Sequence, residues 1–184
     1  MDGPQCGRDR NQMRPRMGRE AKHPSQFQSG KNSGGSGYQS QGYDFFDGNR
    51  HKGHPGHDIF IQDKDQDGID DSTGKPANVI STSSGIVVSI NLDWTPSSPI
   101  RGGNYIWIYE PIGSRYYYYA HLNEIIVEIG QIVARGEPLG TVGRTGKNAY
   151  PKRSPTHLHF TVQESVGGDP KPINPYMELI RGCE

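Results

Sequence analysis

The bulky apolar side chains of this chain are confined to one segment. Of its 34 Val, Ile, Leu and Phe residues, 33 lie within 43–184, and Phe27 alone precedes them. Residues 1–42 combine an Arg-rich start with a run of Ser, Gly and Gln, and such a composition buries too little apolar surface to offset the entropy lost on folding. We therefore predict a disordered arm over 1–42 and a single folded domain over 43–184.

The charge of the chain divides at the same boundary. The 20 Lys and Arg residues balance the 20 Asp and Glu residues overall, but the arm carries a net charge of +4 and the folded segment a net charge of −4. An acidic domain without a basic stripe is not expected to bind nucleic acid. No apolar run reaches the about 18–20 residues that a membrane span needs, and the start of the sequence lacks the apolar stretch of a signal sequence. The two cysteines, Cys6 and Cys183, are too few for a disulfide framework.

The folded segment has the pattern of short strands joined by tight turns. Apolar residues alternate with polar ones or form short β-branched and aromatic runs, and Gly, Pro, Asn and Asp separate these runs. We therefore predict an antiparallel all-β domain with one helical turn at 175–180. The predicted strands cover residues 58–62, 78–91, 104–109, 116–122, 125–127, 138–142 and 157–163.

Two segments of this domain place histidines where a strand would bring them onto one face. Successive side chains of a strand point to opposite sides, so His54 and Asp58 share one side while His57 turns to the other. In the segment HLHF at 157–160, both imidazoles lie on one face and both apolar side chains on the other. The alternative is a polar strand face that carries histidines without a function. His121, at the end of a tyrosine-rich predicted strand, is a further candidate, unless it is a structural histidine beside those rings.

These residue types match the ligands of a catalytic zinc ion, which takes three protein ligands from His, Asp and Glu and keeps a fourth position for water. His54, Asp58 and either His157 or His159 provide such a set. The metal would lower the pKa of its water toward about 7 and so create a nucleophile at neutral pH. The remaining histidine would then accept the proton or stabilise the developing oxyanion.

Three motifs also occur in a fixed order: HPGHD at 54–58, YAHL at 119–122 and HLHF at 157–160. In this order they resemble the three signatures of the lysostaphin-type (LytM-type) zinc metallopeptidases, which cleave peptides of bacterial peptidoglycan. The glycine-spaced segments between the second and third motifs, and NPY at 174–176, resemble the same family. The resemblance covers about residues 50–180.

The resemblance implies a role for each matched residue. His54, Asp58 and His159 match the zinc ligands of the family, and His121 and His157 match its two catalytic histidines, which act on the zinc water and the scissile carbonyl. We expect His157 to be the general base and His121 the oxyanion stabiliser, or the reverse. No matched position has lost its residue type.

The resemblance also implies the fold, the activity and the place of action. The family fold is a two-sheet antiparallel β-sandwich, a barrel-sandwich hybrid with a duplicated hybrid motif, that carries a long cleft. The implied activity is that of a zinc metalloendopeptidase that hydrolyses peptide bonds in peptidoglycan stems or cross-bridges. The implied location is the cell envelope or the outside of the cell, although the chain shows no signal peptide.

Two features depart from the family pattern. The family commonly has an aliphatic residue at position 57, and we expect His57 to pack inward or behind the ligands. A longer connection after Asp58 holds an acidic loop over 63–71 that opens like a calcium loop, although Gly74 stands where such a loop usually has a bidentate glutamate. This loop is either a calcium site or a solvated acidic insertion. Its calcium ligands would be Asp63, Asp65, Asp67 and Asp71.

Two other kinds of function compete with the peptidase. One is a zinc-retaining wall-binding or regulatory module without turnover, and the presence of both His121 and His157 weighs against it. The other is a phosphocarrier-like domain with facing histidines, in which Asp58 would have no purpose. The sequence predicts no oligomeric state.

Overall fold

A computed structural model describes residues 55–176 and residue 179, and it is built almost entirely of β-strands. Every pairing between its strands is antiparallel, which confirms the predicted all-β domain. The predicted arm over 1–42 and its boundary at residue 43 lie outside the described residues. The strands are β1 (His57–Phe60), β2 (Ile69–Asp70), β3 (Lys75–Pro76), β4 (Asn78–Ile80), β5 (Gly85–Asn91), β6 (Tyr105–Glu110), β7 (Arg115–Ala120), β8 (Leu122–Ile125), β9 (Ile132–Val133), β10 (Pro138–Val142), β11 (His157–Val166) and β12 (Asp169–Ile173).

Two sheets enclose the hydrophobic core, as a β-sandwich requires. The large sheet has the order β1-β11-β7-β6-β5-β9, with β12 also paired to β11, and the small sheet has the order β4-β10-β8. Strands β2 and β3 form a separate two-stranded sheet at the end of the acidic loop. Alternate residues of the large sheet, such as Ile106, Tyr119 and Phe160, pack against Val79 and Leu139 of the small sheet in one buried cluster. The opposite face of the large sheet is therefore left for the candidate site.

The structure corrects several predicted strand boundaries. The predicted strand 78–91 is divided, because the Ser81 amide donates to the Glu137 carbonyl (2.8 Å) and the chain then leaves the small sheet for the large one. The predicted strand 116–122 is interrupted at His121, whose φ is +65°. Strands β2, β3 and β9 have only two residues each and so show no period, and β12 contains two prolines, which are unusual inside a strand.

The C-terminal end of the described segment agrees with the predicted helical turn. The Leu179 amide donates to the Pro175 carbonyl at 2.9 Å, the i to i+4 hydrogen bond of such a turn. The other residues of 177–184 lie outside the described part of the chain. Within the described ranges, no helix has the length and apolarity needed to cross a membrane.

Candidate active site

The pairing of β1 with β11 brings Asp58 of the HPGHD motif close to the two histidines of the HLHF motif, on the outer face of the large sheet. In the antiparallel register, Asp58 lies opposite His159 and Phe60 opposite His157. Asp58 Oδ1 is 2.9 Å from His159 Nδ1 and 3.8 Å from His157 Nε2. The predicted alternation therefore places these three side chains as expected. His54, the remaining predicted ligand, lies outside the described residues.

A chain of hydrogen bonds orients the His159 ring. The Thr161 hydroxyl donates to the Pro55 carbonyl (3.0 Å), so it accepts a hydrogen bond from His159 Nε2–H (3.1 Å). A neutral His159 then directs its unprotonated Nδ1 at Asp58 Oδ1, another acceptor. Two such acceptors repel each other unless a proton or a cation lies between them.

This donor pair fits a zinc ion. Imidazole nitrogen and carboxylate oxygen are normal zinc ligands, and two ligand atoms of a tetrahedral site with bonds of about 2.0–2.1 Å lie about 3.3 Å apart. The separation of 2.9 Å between Asp58 Oδ1 and His159 Nδ1 is close to that value. The hydrogen bond from the opposite nitrogen of His159 to Thr161 is the kind of support that zinc-binding histidines usually have.

His121 lies beside this pair on a strained backbone. It stands between β7 and β8 with φ of +65°, a conformation that few residues other than glycine adopt. Its amide donates to the Gly102 carbonyl (2.9 Å), which fixes the bend. The centre of its ring is 4.9 Å from that of His157 and 5.9 Å from that of His159. The bend therefore directs His121 toward the histidines of β11.

His121 and His157 share the same tautomer. Nδ1 of His121 lies 2.7 Å from the Thr145 carbonyl oxygen, and Nδ1 of His157 lies 2.7 Å from that of Pro155. A carbonyl oxygen only accepts hydrogen bonds, so each Nδ1 carries the proton and each neutral ring leaves Nε2 as an acceptor. Burial and, to a smaller extent, the neighbouring His157 and His159 lower the pKa of His121 to about 3. His121 is therefore held in its neutral form.

His57 faces away from this centre, as its position in the strand predicts. Its ring is buried, its Nε2 lies 3.1 Å from Asn174 Oδ1, and it stacks on Tyr176 at 6.3 Å between ring centres. The histidine thus takes the inward position at which the family commonly has an aliphatic residue.

The acidic loop gathers three of its four predicted calcium ligands. Carboxylate oxygens of Asp63, Asp65 and Asp67 lie within 4.8 Å of one another. Asp71 is outside that group and instead accepts a hydrogen bond from the Lys64 amide (3.1 Å). No further observation in the described residues indicates an ion, so calcium binding stays a prediction.

Asp63 also ties this loop to the strand that carries His157. Its Oδ2 accepts a hydrogen bond from the buried Thr156 hydroxyl (2.6 Å), which in turn accepts one from Arg144 Nη1 (2.9 Å). Burial raises the pKa of Asp63, but hydrogen bonds from Thr156 and from backbone amides outweigh it, so the net pKa is lowered. Arg144 also donates to the Ser154 carbonyl (2.8 Å). The segment before His157 is thereby fixed from two sides.

Substitution Thr156→Val tests this connection. The valine keeps the shape of the side chain but removes the hydroxyl between Asp63 and Arg144, so we expect the free energy of unfolding to fall by about 1–3 kcal/mol in chemical denaturation. Thr141→Val is the matched control, because Thr141 Oγ1 is buried and has no hydrogen-bond partner among the described residues. Its loss should be near zero, and equal losses in the two variants would contradict the role of Thr156.

Of the groups that orient the three imidazoles, the period of two predicts only the Thr161 hydroxyl, which it places on the site face of the strand 157–163. The carbonyls of Thr145 and Pro155 leave no such signal, because every residue has a carbonyl. Arg144 and Thr156 are likewise recognisable only from their contacts.

Comparison with models of known protein families identifies the group to which this chain is related. The model of peptidase family M23 matches residues 64–175, more than half of the chain. The chain belongs to peptidase family M23. The matched segment contains His121, His157 and His159 and begins after Asp58. The resemblance to lysostaphin-type peptidases is thus confirmed at the level of the family.

Two solved structures of lysostaphin agree with the M23 assignment. The catalytic domain of lysostaphin, an antimicrobial peptidase from Staphylococcus simulans, has a TM-score of 0.52 and 26% identity, with 71% of this chain and 82% of that one covered. A longer lysostaphin chain has a TM-score of 0.50 and 27% identity, with 74% and 46% covered. LytM of Ruminococcus gnavus, assigned as a glycyl-glycine endopeptidase, is 31% identical with a TM-score of 0.46, with 54% and 38% covered. This M23 chain therefore spans less than half of the latter two chains. No curated protein matches it.

Proposed function

We propose that this M23 chain is a zinc metalloendopeptidase that hydrolyses peptide bonds of bacterial peptidoglycan. The observation that carries the proposal is the convergence of Asp58 and three imidazoles at one point on the outer sheet face. Membership of a peptidase family supports the reaction type. The substrate class is supported by the similarity to lysostaphin, an antimicrobial peptidase.

The residues that would hold zinc are Asp58, through Oδ1, and His159, through Nδ1, with His54 added from its place in the first motif. When bound, zinc supplies Lewis-acid chemistry that acidifies a water molecule and polarises a peptide carbonyl. Thr161 contributes by keeping the His159 ring in one orientation. The net charge of a metal with one carboxylate and two neutral imidazoles stays positive, which favours that chemistry.

His157 is the proposed general base. Its Nδ1–H is held by the Pro155 carbonyl, so Nε2 is free to take the proton of the attacking water. Asp58 Oδ1, 3.8 Å from this nitrogen, stabilises the imidazolium that forms. His157 can then return the proton to the amine that leaves.

His121 is the second proposed catalytic histidine. In its neutral form, Nε2 accepts a hydrogen bond, so it can orient the attacking water or a substrate N–H group. The expected role as oxyanion stabiliser requires a proton on Nε2, which burial and the neighbouring imidazoles disfavour. The hydrogen bonds therefore support the acceptor role of His121.

Action on peptidoglycan requires the domain to work in the cell envelope or outside the cell, and we propose that location.

The test of the peptidase activity is to incubate the zinc-loaded protein with purified sacculi and to identify released peptides by mass spectrometry. Release that stops with a chelator and returns with zinc is expected. No release by the metal-loaded protein would overturn the peptidase and favour a non-hydrolytic module, and the fragment masses would identify the bond.

Gly56 offers a test of the zinc site that does not need activity. A Cβ at this position would lie 2.5 Å from His159 Cε1 and 2.7 Å from Thr161 Oγ1, so Gly56→Ala must displace the His159 ring. We expect zinc affinity to fall by about 10–100-fold in competition with a chromophoric chelator. Gly130→Ala is the control, since its φ of +88° makes alanine strained while no atom lies within 4 Å of the added carbon. Similar zinc affinity in both variants would show that His159 is not a ligand.

A further inference from the structure

A row of aromatic rings extends from the candidate active site across the outer face of the large sheet. The register pairs Tyr118 with Thr161 of β11 and with Trp107 of β6, so these side chains share the face of His159. Tyr118 presents an edge-on ring to His159, with 6.1 Å between centres. The row consists of Tyr105, Trp107, Tyr109, Tyr116 and Tyr118.

Contacts between neighbouring rings make the row continuous. Trp107 stacks on Tyr118 with 4.4 Å between ring centres, and Tyr105 approaches Tyr118 at 5.5 Å. Tyr116 contacts Tyr109 at 4.8 Å and Trp107 at 6.5 Å. All five side chains are neither fully buried nor fully exposed, so they form a partly open apolar surface instead of a second core.

The chemistry of this surface favours a neutral, ring-shaped ligand that also carries hydroxyl groups. The five residues are four tyrosines and one tryptophan, whose side chains are uncharged at neutral pH. Two partly exposed polar side chains border the rings, since Gln163 pairs in register with Tyr116 and Ser89 with Trp107. Aromatic faces take the C–H side of a pyranose, and such polar groups bind its hydroxyls. Nucleic acid, which also stacks on rings, would require the positive charge that this acidic domain lacks.

We propose that this aromatic row binds the saccharide chain to which the cleaved peptide is attached. The proposal rests on the proposed function, because a peptidoglycan substrate joins sugar rings to the scissile peptide. Two strand spacings of about 4.8 Å and two residues of about 3.3 Å separate His159 from Trp107, a span of about 12 Å. A peptide of three or four residues extends over about 10–14 Å at 3.3–3.6 Å per residue. A sugar on Trp107 can therefore carry a stem whose scissile bond lies at Asp58 and His159.

The direct test titrates a β-1,4-linked N-acetylglucosamine tetrasaccharide into the zinc-loaded full chain. We expect saturable binding by the wild type. The Kd should be about tenfold higher, or more, in Trp107→Ala and in Tyr116→Ala. Trp107→Phe keeps a ring and should retain most of the affinity, which separates lost stacking from a damaged fold. Tyr150→Ala is the matched control, because Tyr150 is 54% exposed and pairs with Trp94 outside the row.

A kinetic test separates this proposal from the proposed function. Trp107→Ala should raise KM for muropeptides that carry their sugars by a larger factor than it raises KM for the same peptide without sugars. Hydrolysis without saccharide binding by the wild type, or with equal binding in Trp107→Ala, would overturn the saccharide site and leave the peptidase intact. Saccharide binding without hydrolysis would support the site and overturn the peptidase. A dimer that forms through Trp107 in place of saccharide binding would identify a second copy of the chain as the occupant and overturn the proposal.

Discussion

The variant His157→Ala is expected to hydrolyse peptidoglycan peptides about 10²–10⁴-fold more slowly than the wild type. Alanine removes the Nε2 acceptor that faces Asp58 Oδ1 at 3.8 Å, and with it the group that takes the proton of the attacking water. The rate of peptide release from purified sacculi, measured at saturating zinc, is the readout. Zinc affinity should change much less than this rate, because His157 is not a proposed ligand.

His57→Ala is the matched control for that loss of rate. His57 is also a buried histidine, but its ring contacts Asn174 and Tyr176 on the opposite side of β1. The variant is expected to lose stability while each folded molecule keeps its activity. A rate in His157→Ala equal to that of the wild type, or an equal loss in both variants, would remove His157 from the mechanism.

Among the variants proposed for this domain, Phe160→Ala should lose the most stability, with a free energy of unfolding lower by about 3–5 kcal/mol. Phe160 is 1% exposed, and its ring centre lies 5.1 Å from that of Tyr119 and 6.4 Å from that of Tyr117. Its removal leaves a cavity between the two sheets. Chemical denaturation in the presence of a chelator measures this effect without the stabilisation that bound zinc would add.

Phe60→Ala provides the comparison for Phe160. Phe60 lies on the neighbouring strand β1, but its side chain is 36% exposed on the site face, 5.3 Å from the ring of His157. Its replacement is expected to cost well under half as much stability. Losses of similar size in the two variants would mean that the core does not lie on the Phe160 side of the sheet.

The fold class was predictable because its signal is local. Alternation in HLHF at 157–160 separates the core residues Leu158 and Phe160 from the two histidines, and the structure buries that same pair. Strand ends were less predictable, since a change of sheet depends on remote partners. The Ser81 amide, for example, pairs with the Glu137 carbonyl, and nothing near Ser81 in the sequence indicates this bond.

In the candidate site, too, some features are predictable from the sequence and others are not. Side-chain types and the period of two placed Asp58, His157 and His159 on shared faces, and His57 on the opposite one. The backbone bend at His121 and its hydrogen bond to the Thr145 carbonyl were not predictable, because carbonyl groups are common to all residues.

The strand pattern and the strand faces of His57, His157 and His159 follow from the amino-acid sequence alone, because the period of side chains along a strand is a local property. The register of β1 on β11, which sets Asp58 opposite His159 across 101 residues of chain, is known only from the three-dimensional fold. The same is true of the tautomers of the imidazoles and of the aromatic row beside them. These features depend on hydrogen bonds and ring contacts between residues distant in sequence, and each such partner is selected by the packing of the whole domain.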